Sequence, residues 1–203
     1  MTANRSRRSP FILLGCCLIV LPLFTNAADD KKKNPEKTRE VKIESLTLNV
    51  PQSWKKKPPS NKFRKAQFKI PKAKDDKDGV ELVVFSFGGG GGGVQANIKR
   101  WVGQFESKGR KSKITSGKSP QGQYVFVDIT GTYKMSVGPP IAGKTKTVSD
   151  ARMLAVILFV EKARTVYYLR MAGESKTISA AADAFRTSFG ANTKTEKEVK
   201  NEK

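Results

Sequence analysis

The stretch most suggestive of a reaction is Gly138-Pro139-Pro140-Ile141-Ala142-Gly143-Lys144-Thr145, which satisfies the phosphate-loop spacing G-x-x-x-x-G-K-[ST]. In such a loop, backbone N–H groups cradle phosphates, the lysine neutralises them and the threonine hydroxyl holds Mg²⁺. The geometry needs a strand before the loop and a helix directly after it. Here residues 146–150 lead straight into a run rich in Val, Ile, Leu and Phe at 151–160, which reads as a strand. Glu161 follows too closely to belong to a separate metal-binding strand. The expectation is therefore a basic hairpin loop over 135–149, and a nucleotide-binding protein is the weaker alternative.

The rest of the inventory points away from catalysis. The chain has no histidine, so a Ser–His arrangement is impossible and the usual neutral-pH base is missing. Its two cysteines, Cys16 and Cys17, lie in an apolar leader and would be lost with it. Asp128 and Glu81 sit on predicted strands, and acid–base work would need both in one pocket. The expectation is a non-enzymatic protein with no catalytic residue, no cofactor and no metal site.

Positive charge is the strongest compositional signal: 39 Lys+Arg stand against 18 Asp+Glu, a formal +21. It gathers at Lys55, Lys56 and Lys57; at Lys62, Arg64 and Lys65 around Phe63; at Arg110, Lys111 and Lys113; and at Lys144 and Lys146. Such clusters attract polyanions, including nucleic acid, anionic headgroups and acidic polysaccharide, and Phe63 could add stacking. They equally describe a solvated face that keeps a protein soluble. No specific nucleic-acid motif is present. The consecutive Gly88, Gly89, Gly90, Gly91, Gly92 and Gly93 precede a predicted helix, whose N-terminus could attract an anion. The plainer reading of that run is a flexible connection, with close backbone approach as the alternative. Trp54, Trp101, Tyr167 and Tyr168 could line a pocket, but Trp101 lies on an apolar helical stripe and is expected in the core.

The N-terminus reads as an export signal. Arg5, Arg7 and Arg8 precede an apolar run over 11–24, and Thr25-Asn26-Ala27-Ala28 supplies small residues for cleavage. Leu13-Leu14-Gly15-Cys16 resembles a lipoprotein box, but Cys16 falls inside the apolar run, so ordinary cleavage is preferred. The expected division is a signal peptide over 1–28, a disordered charged linker over 29–40, one domain over 41–190 and a disordered polar tail over 191–203. The mature chain holds no transmembrane segment, and its place is periplasmic or extracellular.

Within the domain, 41–50 alternates as a strand or hairpin arm, and Pro51 to Trp54 forms a turn whose indole plugs the core edge. A basic loop follows over 55–61. Short strands are expected over 65–70 and 80–87, joined by a charged hairpin loop. A helix should carry Val94, Ile98, Trp101, Val102 and Phe105 on one face. Further strands are expected at 114–115, 123–133, 151–160 and 165–171. A last helix over 178–189 carries Ile178, Ala181, Ala182, Phe185 and Phe189 inward and stops at Gly190. Strands, helix, strands, helix predict an α+β fold: an antiparallel β-sheet flanked by helices, an αβα sandwich.

The early strand with Pro51-x-x-Trp54, the central strand–loop–helix, the late hairpin and the closing Ala184-Phe185…Ser188-Phe189 resemble the Mog1/PsbP-like fold. Phe85-Ser86-Phe87 with its glycines, then Asn97-Ile98, Arg100-Trp101 and Gln104-Phe105, also resemble a segment of uncharacterised exported bacterial proteins. The resemblance covers about 41–189. It implies a binding or accessory role, as in photosystem accessory subunits, a small-GTPase partner and envelope lipoproteins, and carries over no site residue. The expected function is that of an exported binding domain whose working surfaces are the loops at 88–93 and 135–149. The expected partner is an unknown protein or an envelope polyanion. The alternative is a binder of polyanions or the envelope surface through the basic clusters.

Overall fold

The computed structural model describes residues 1–2, 36–87, 90–137 and 143–199. The chain divides into two compact units, Met1–Asn34 and Pro35–Lys203. The predicted signal peptide falls almost wholly outside the described residues, as do 29–35 of the predicted linker. No helix among the described residues is long and apolar enough to cross a membrane.

The second unit begins with β1 (Thr38–Ile43) and β2 (Leu46–Pro51), an antiparallel pair turning through Glu44 at φ 53°. Then come β3 (Lys55–Lys57), β4 (Arg64–Ile70), β5 (Val80–Ser86), α1 (Gly93–Val102) and β6 (Lys111–Ser119). The chain continues with β7 (Gly122–Ser136), β8 (Thr145–Val160), β9 (Thr165–Glu174), α2 (Ser175–Ser188) and β10 (Lys197–Glu198). Eight strands form one sheet in the order β10-β6-β7-β8-β9-β5-β4-β3, antiparallel throughout.

Alternation sends side chains to two cores, because successive Cβ atoms on a strand point to opposite faces. On one face Phe68, Leu82, Val84, Phe126, Leu154, Val156, Leu169 and Met171 pack against Ile178, Ala181 and Phe185 of α2 and against the β1–β2 hairpin. On the other, Val127, Ile129, Met153, Ala155 and Ile157 pack with Ile98 and Trp101 of α1 and with Phe105. The sheet is thus the middle layer between α2 with the hairpin and α1, an α+β sandwich of the expected class. Trp54 is buried beside the hairpin, held by a turn in which its N–H donates to the Pro51 carbonyl. Asp76, in the β4–β5 connection, accepts from the Thr177 N–H at 2.8 Å and so caps the start of α2 from outside.

Several boundaries differ from expectation. The domain starts before residue 41: the Glu36 carboxylate accepts from Ser53, and β1 opens inside the expected linker. Lys55–Lys57 is an edge strand rather than a loop. Much of the expected 135–149 loop is strand, because β7 and β8 stay paired out to Ser136 and Thr145. Val94 is 38% exposed, off the helix's inner face, while Phe105 lies beyond the helix and bridges to Tyr133. The polar tail is not free: 197–198 add a strand to the sheet edge, and Glu196 accepts from Thr115 and Tyr124.

Candidate functional site

The register of the central strands lays out the face of the sheet that carries α1. One row of directly opposed residues runs Ser116, Val125, Ile157, Tyr168, Phe85 and Arg64 across β6, β7, β8, β9, β5 and β4. The adjacent row runs Ile114, Val127, Ala155, Arg170 and Val83. Arg170 is therefore set into an apolar row by the alternation of Thr165–Glu174, with fully buried Ala155 on one side and Val83 on the other.

Between α1 and the β9–β5 pair lies a cavity of about 160 Å³, lined by Phe85, Phe87, Asn97, Arg100, Trp101, Tyr168 and Arg170. Arg170 is partly buried and donates from Nη1 to Gln104 Oε1 at 3.3 Å. Arg100 is exposed at the cavity wall and donates from Nη1 to Asn97 Oδ1 at 3.1 Å. Among the described residues the arginine ion pairs are Arg64–Glu81 at 3.6 Å, Arg152–Asp128 at 2.7 Å and Arg186–Glu196, so neither Arg100 nor Arg170 has a carboxylate. Burial pushes the Arg170 guanidinium below its ordinary value; Arg64 and Arg100 act in the same direction, and Tyr133 opposes them. An arginine nevertheless stays cationic at neutral pH. A desolvated cation facing neutral partners favours an incoming anion, and the planar guanidinium suits carboxylate or phosphate.

The glycine run shapes one wall. Gly91, Gly92 and Gly93 have φ of 57°, 90° and 76°, the left-handed region that glycine adopts without penalty. A Cβ on Gly91 would meet Phe87 Cδ2 at 2.9 Å and the Tyr168 hydroxyl at 3.0 Å. Buried Asn97 fastens this turn, donating from Nδ2 to the Gly91 carbonyl at 2.9 Å and the Gly93 carbonyl at 2.7 Å. The described part of the run is thus a close backbone approach rather than a slack connection; Gly88 and Gly89 lie outside the described residues. Phe87 continues the wall, with ring centroids 6.0 Å from Phe85, 5.7 Å from Tyr168 and 6.3 Å from Phe63.

Of the charge clusters expected from the sequence, Lys55, Lys56 and Lys57 share the β3–β4 hairpin with Lys62, Arg64 and Lys65, but the others lie elsewhere on the sheet. Lys55, Lys56 and Lys57 are exposed on edge strand β3, whereas Lys111 and Lys113 are exposed on β6, near the opposite edge. Lys65 pairs with Glu44 at 2.8 Å, and Lys146 with Asp78 at 2.5 Å. Arg110 donates to the Val102 and Phe105 carbonyls beyond α1. Lys144 is exposed, and its carbonyl accepts from the Val137 N–H. Lys62 sits 5.5 Å above the Phe63 ring. Arg64 approaches the cavity: it lies 5.9 Å from the Phe85 ring centroid, and its buried Nε has no partner among the described residues.

The phosphate-loop residues 138–142 lie outside the described residues, and Thr145 opens β8 where a nucleotide site needs a helix. Asp128 accepts from Arg152 Nε at 2.9 Å and Nη2 at 2.7 Å on the α2 face, while alternation directs Glu81 to the other face. The two carboxylates therefore share no pocket. No group of three or more metal-ligating side chains of the types His, Cys, Asp and Glu occurs among the described residues. Sequence reasoning missed Arg170; the signal was a cation within the otherwise apolar and aromatic run Val166–Met171.

No protein-family model and no curated protein matches the chain. Among solved structures it is similar to a Pseudomonas aeruginosa protein of unknown function, at 15% identity over 74% of this chain and 92% of that one, with a TM-score of 0.39. It is similar to the Saccharomyces cerevisiae Ran-binding protein Mog1p, at 10% identity over 73% and 84%, with a TM-score of 0.41. It is also similar to the cyanobacterial PsbP of Synechocystis, at 10% identity over 83% and 96%, with a TM-score of 0.42. The last two are the namesakes of the fold expected from the sequence, and the likeness is one of fold.

Proposed function

We propose that the folded unit is a binding domain, not a catalyst, and that its recognition site is the cavity between α1 and the β9–β5 pair. It takes one anionic group, a carboxylate or a phosphate. The observation that carries this reading is that Arg100 and Arg170 line one small cavity with aromatic walls and neither has a carboxylate partner among the described residues. The exposed lysines of β3 support polyanion binding less well, since lysines on an edge strand also block strand-to-strand aggregation. The leader over 1–28 would place this domain outside the cytoplasm.

Titration of the purified chain with inorganic phosphate and with acetate, followed by NMR at the Trp101 indole and the Gly91 amide, tests the site. Saturable shifts that Arg170→Gln removes are expected. If neither anion moves these signals at high millimolar concentration, the reading fails.

A further inference from the structure

A second concavity, of about 700 Å³, opens on the same face of the sheet and shares Tyr168 with the arginine cavity. Its floor is Val125, Ile157, Phe159 and Val166, which the register sets side by side on β7, β8 and β9. α1 is ten residues long, roughly 15 Å at the usual rise, and leaves this part of the sheet uncovered. Phe159 is 40% exposed and Val94, beside the opening, 38%. An aromatic ring and aliphatic side chains left in solvent around one concavity mark a binding surface better than scattered exposed residues do.

Charge decides what fits. Among the described residues no acidic side chain lines either concavity; the charged ones are Lys118 and Lys197 at the groove and Arg100 and Arg170 at the smaller cavity. The groove has the volume of an ordinary small-ligand site, whereas the arginine cavity has room for a head group only. We propose that the ligand is a single-chain anionic amphiphile, its carboxylate or phosphate at Arg100 and Arg170 and its apolar chain along Val125, Ile157, Phe159 and Val166. This rests on the anion-site reading above and adds the chemistry of the rest of the ligand. Tyr168 lines both concavities, and a Cβ on Gly91 would come within 3.0 Å of its hydroxyl. The groove admits the chain because burying methylenes against an apolar floor is favourable by about 0.8 kcal/mol each.

The test compares dodecanoate and dodecyl phosphate, held below their micelle concentrations, with acetate, inorganic phosphate and dodecanol on the full chain. Calorimetry gives affinity, and sedimentation gives oligomeric state. The charged amphiphiles are expected to bind at least tenfold tighter than the head groups alone and at least tenfold tighter than dodecanol. Arg170→Gln should remove the preference over dodecanol. Phe159→Ser, at an exposed position, should weaken the amphiphiles severalfold and leave phosphate binding unchanged, and Val125→Ser should repeat this if the first variant is unstable. Equal affinity for phosphate and dodecyl phosphate overturns the amphiphile proposal while the anion site stands. Equal affinity for dodecanol and dodecanoate, unchanged by Arg170→Gln, overturns the anion site itself. A concentration-dependent dimer abolished by Phe159→Ser makes a second copy the occupant and overturns the proposal.

Discussion

Arg170 donates to the Gln104 side chain at 3.3 Å, and Gln104 is itself held, its carbonyl accepting from the Lys134 N–H at 2.8 Å. The neighbouring Phe105 bridges to Tyr133, with ring centroids 4.9 Å apart. The segment after α1 is thus pinned to β7 and presents Arg170 with a neutral acceptor at a fixed place. A neutral amide satisfies one guanidinium donor and compensates little of the charge.

The first prediction follows from that imbalance. Arg170→Met keeps much of the side-chain volume and removes a desolvated cation, so the folded state should lose nothing and gain up to about 1 kcal/mol. Anion binding should disappear. Denaturant midpoints and anion titration on the same sample check this; a variant destabilised by more than about 2 kcal/mol would show that Arg170 is structural.

The glycine turn gives a second prediction. Gly91→Ala must hold φ 57° and push its Cβ against Phe87 and the Tyr168 hydroxyl, so about 1–3 kcal/mol should be lost. Asn97→Ala removes both bonds that fasten the turn and should cost about 1–3 kcal/mol. If the turn were merely a slack tether, both variants would unfold at the wild-type denaturant concentration.

Much of this fold was legible because local pattern and tertiary placement agree. Val125, Val127 and Ile129 alternate with Tyr124 and Phe126, and both sets find a core. The α2 stripe of Ile178, Ala181 and Phe185 is buried as its spacing requires. Where signals failed, a long-range partner decided. Lys55–Lys57 has no strand pattern and becomes a strand because β4 offers an edge. The 191–203 segment has almost nothing apolar, yet Arg186, Thr115 and Tyr124 supply partners for Glu196, none of them adjacent in sequence. The candidate site was half visible. Its glycines and aromatics stood out, but the meeting of Arg170 on β9 with Arg100 on α1 depends on where the helix packs on the sheet, which composition does not encode.

Alkaline pH should weaken the fold. Burial raises the Tyr124 phenol above its ordinary value; its hydrogen bond to Glu196 and the Glu196 charge add to this, and Arg186 opposes it. Burial raises Tyr168 too, against the field of Arg100. A folded-state value above the unfolded one means that the native protein holds a proton the unfolded chain would release. The stabilisation is therefore full below the unfolded tyrosine value of about 10 and is lost as pH rises through the folded value. Lys65, Lys146 and Lys176 are raised by their hydrogen bonds to Glu44, Asp78 and Asp75 and act in the same sense, weakly, because they are exposed. Denaturation midpoints should fall steadily from about pH 9 upward, and Tyr124→Phe should flatten that fall. Midpoints that stay level or rise across this range would contradict the assignment.

The C-terminal segment should matter more than its composition suggests. Glu196 accepts from Tyr124 Oη at 3.0 Å and Thr115 Oγ1 at 2.9 Å, and it pairs with Arg186, whose guanidinium lies 3.6 Å from the Phe126 ring centroid. Val199 N–H then donates to the Ile114 carbonyl at 2.9 Å, which holds β10 on the sheet edge. Deleting 191–203 leaves Arg186 over an aromatic ring without its carboxylate and strands a buried phenol hydroxyl and a buried threonine hydroxyl. Each stranded polar group costs about 1–3 kcal/mol where water cannot reach it, and partial exposure reduces this, so a total loss of about 2–4 kcal/mol is expected. Glu196→Gln keeps the shape and one acceptor and should cost about half as much. Urea unfolding of the two variants separates the ion pair from the strand. Wild-type stability in the truncated chain would mean that the segment merely rests on the surface. A loss confined to the truncation would assign the effect to β10 rather than to Glu196.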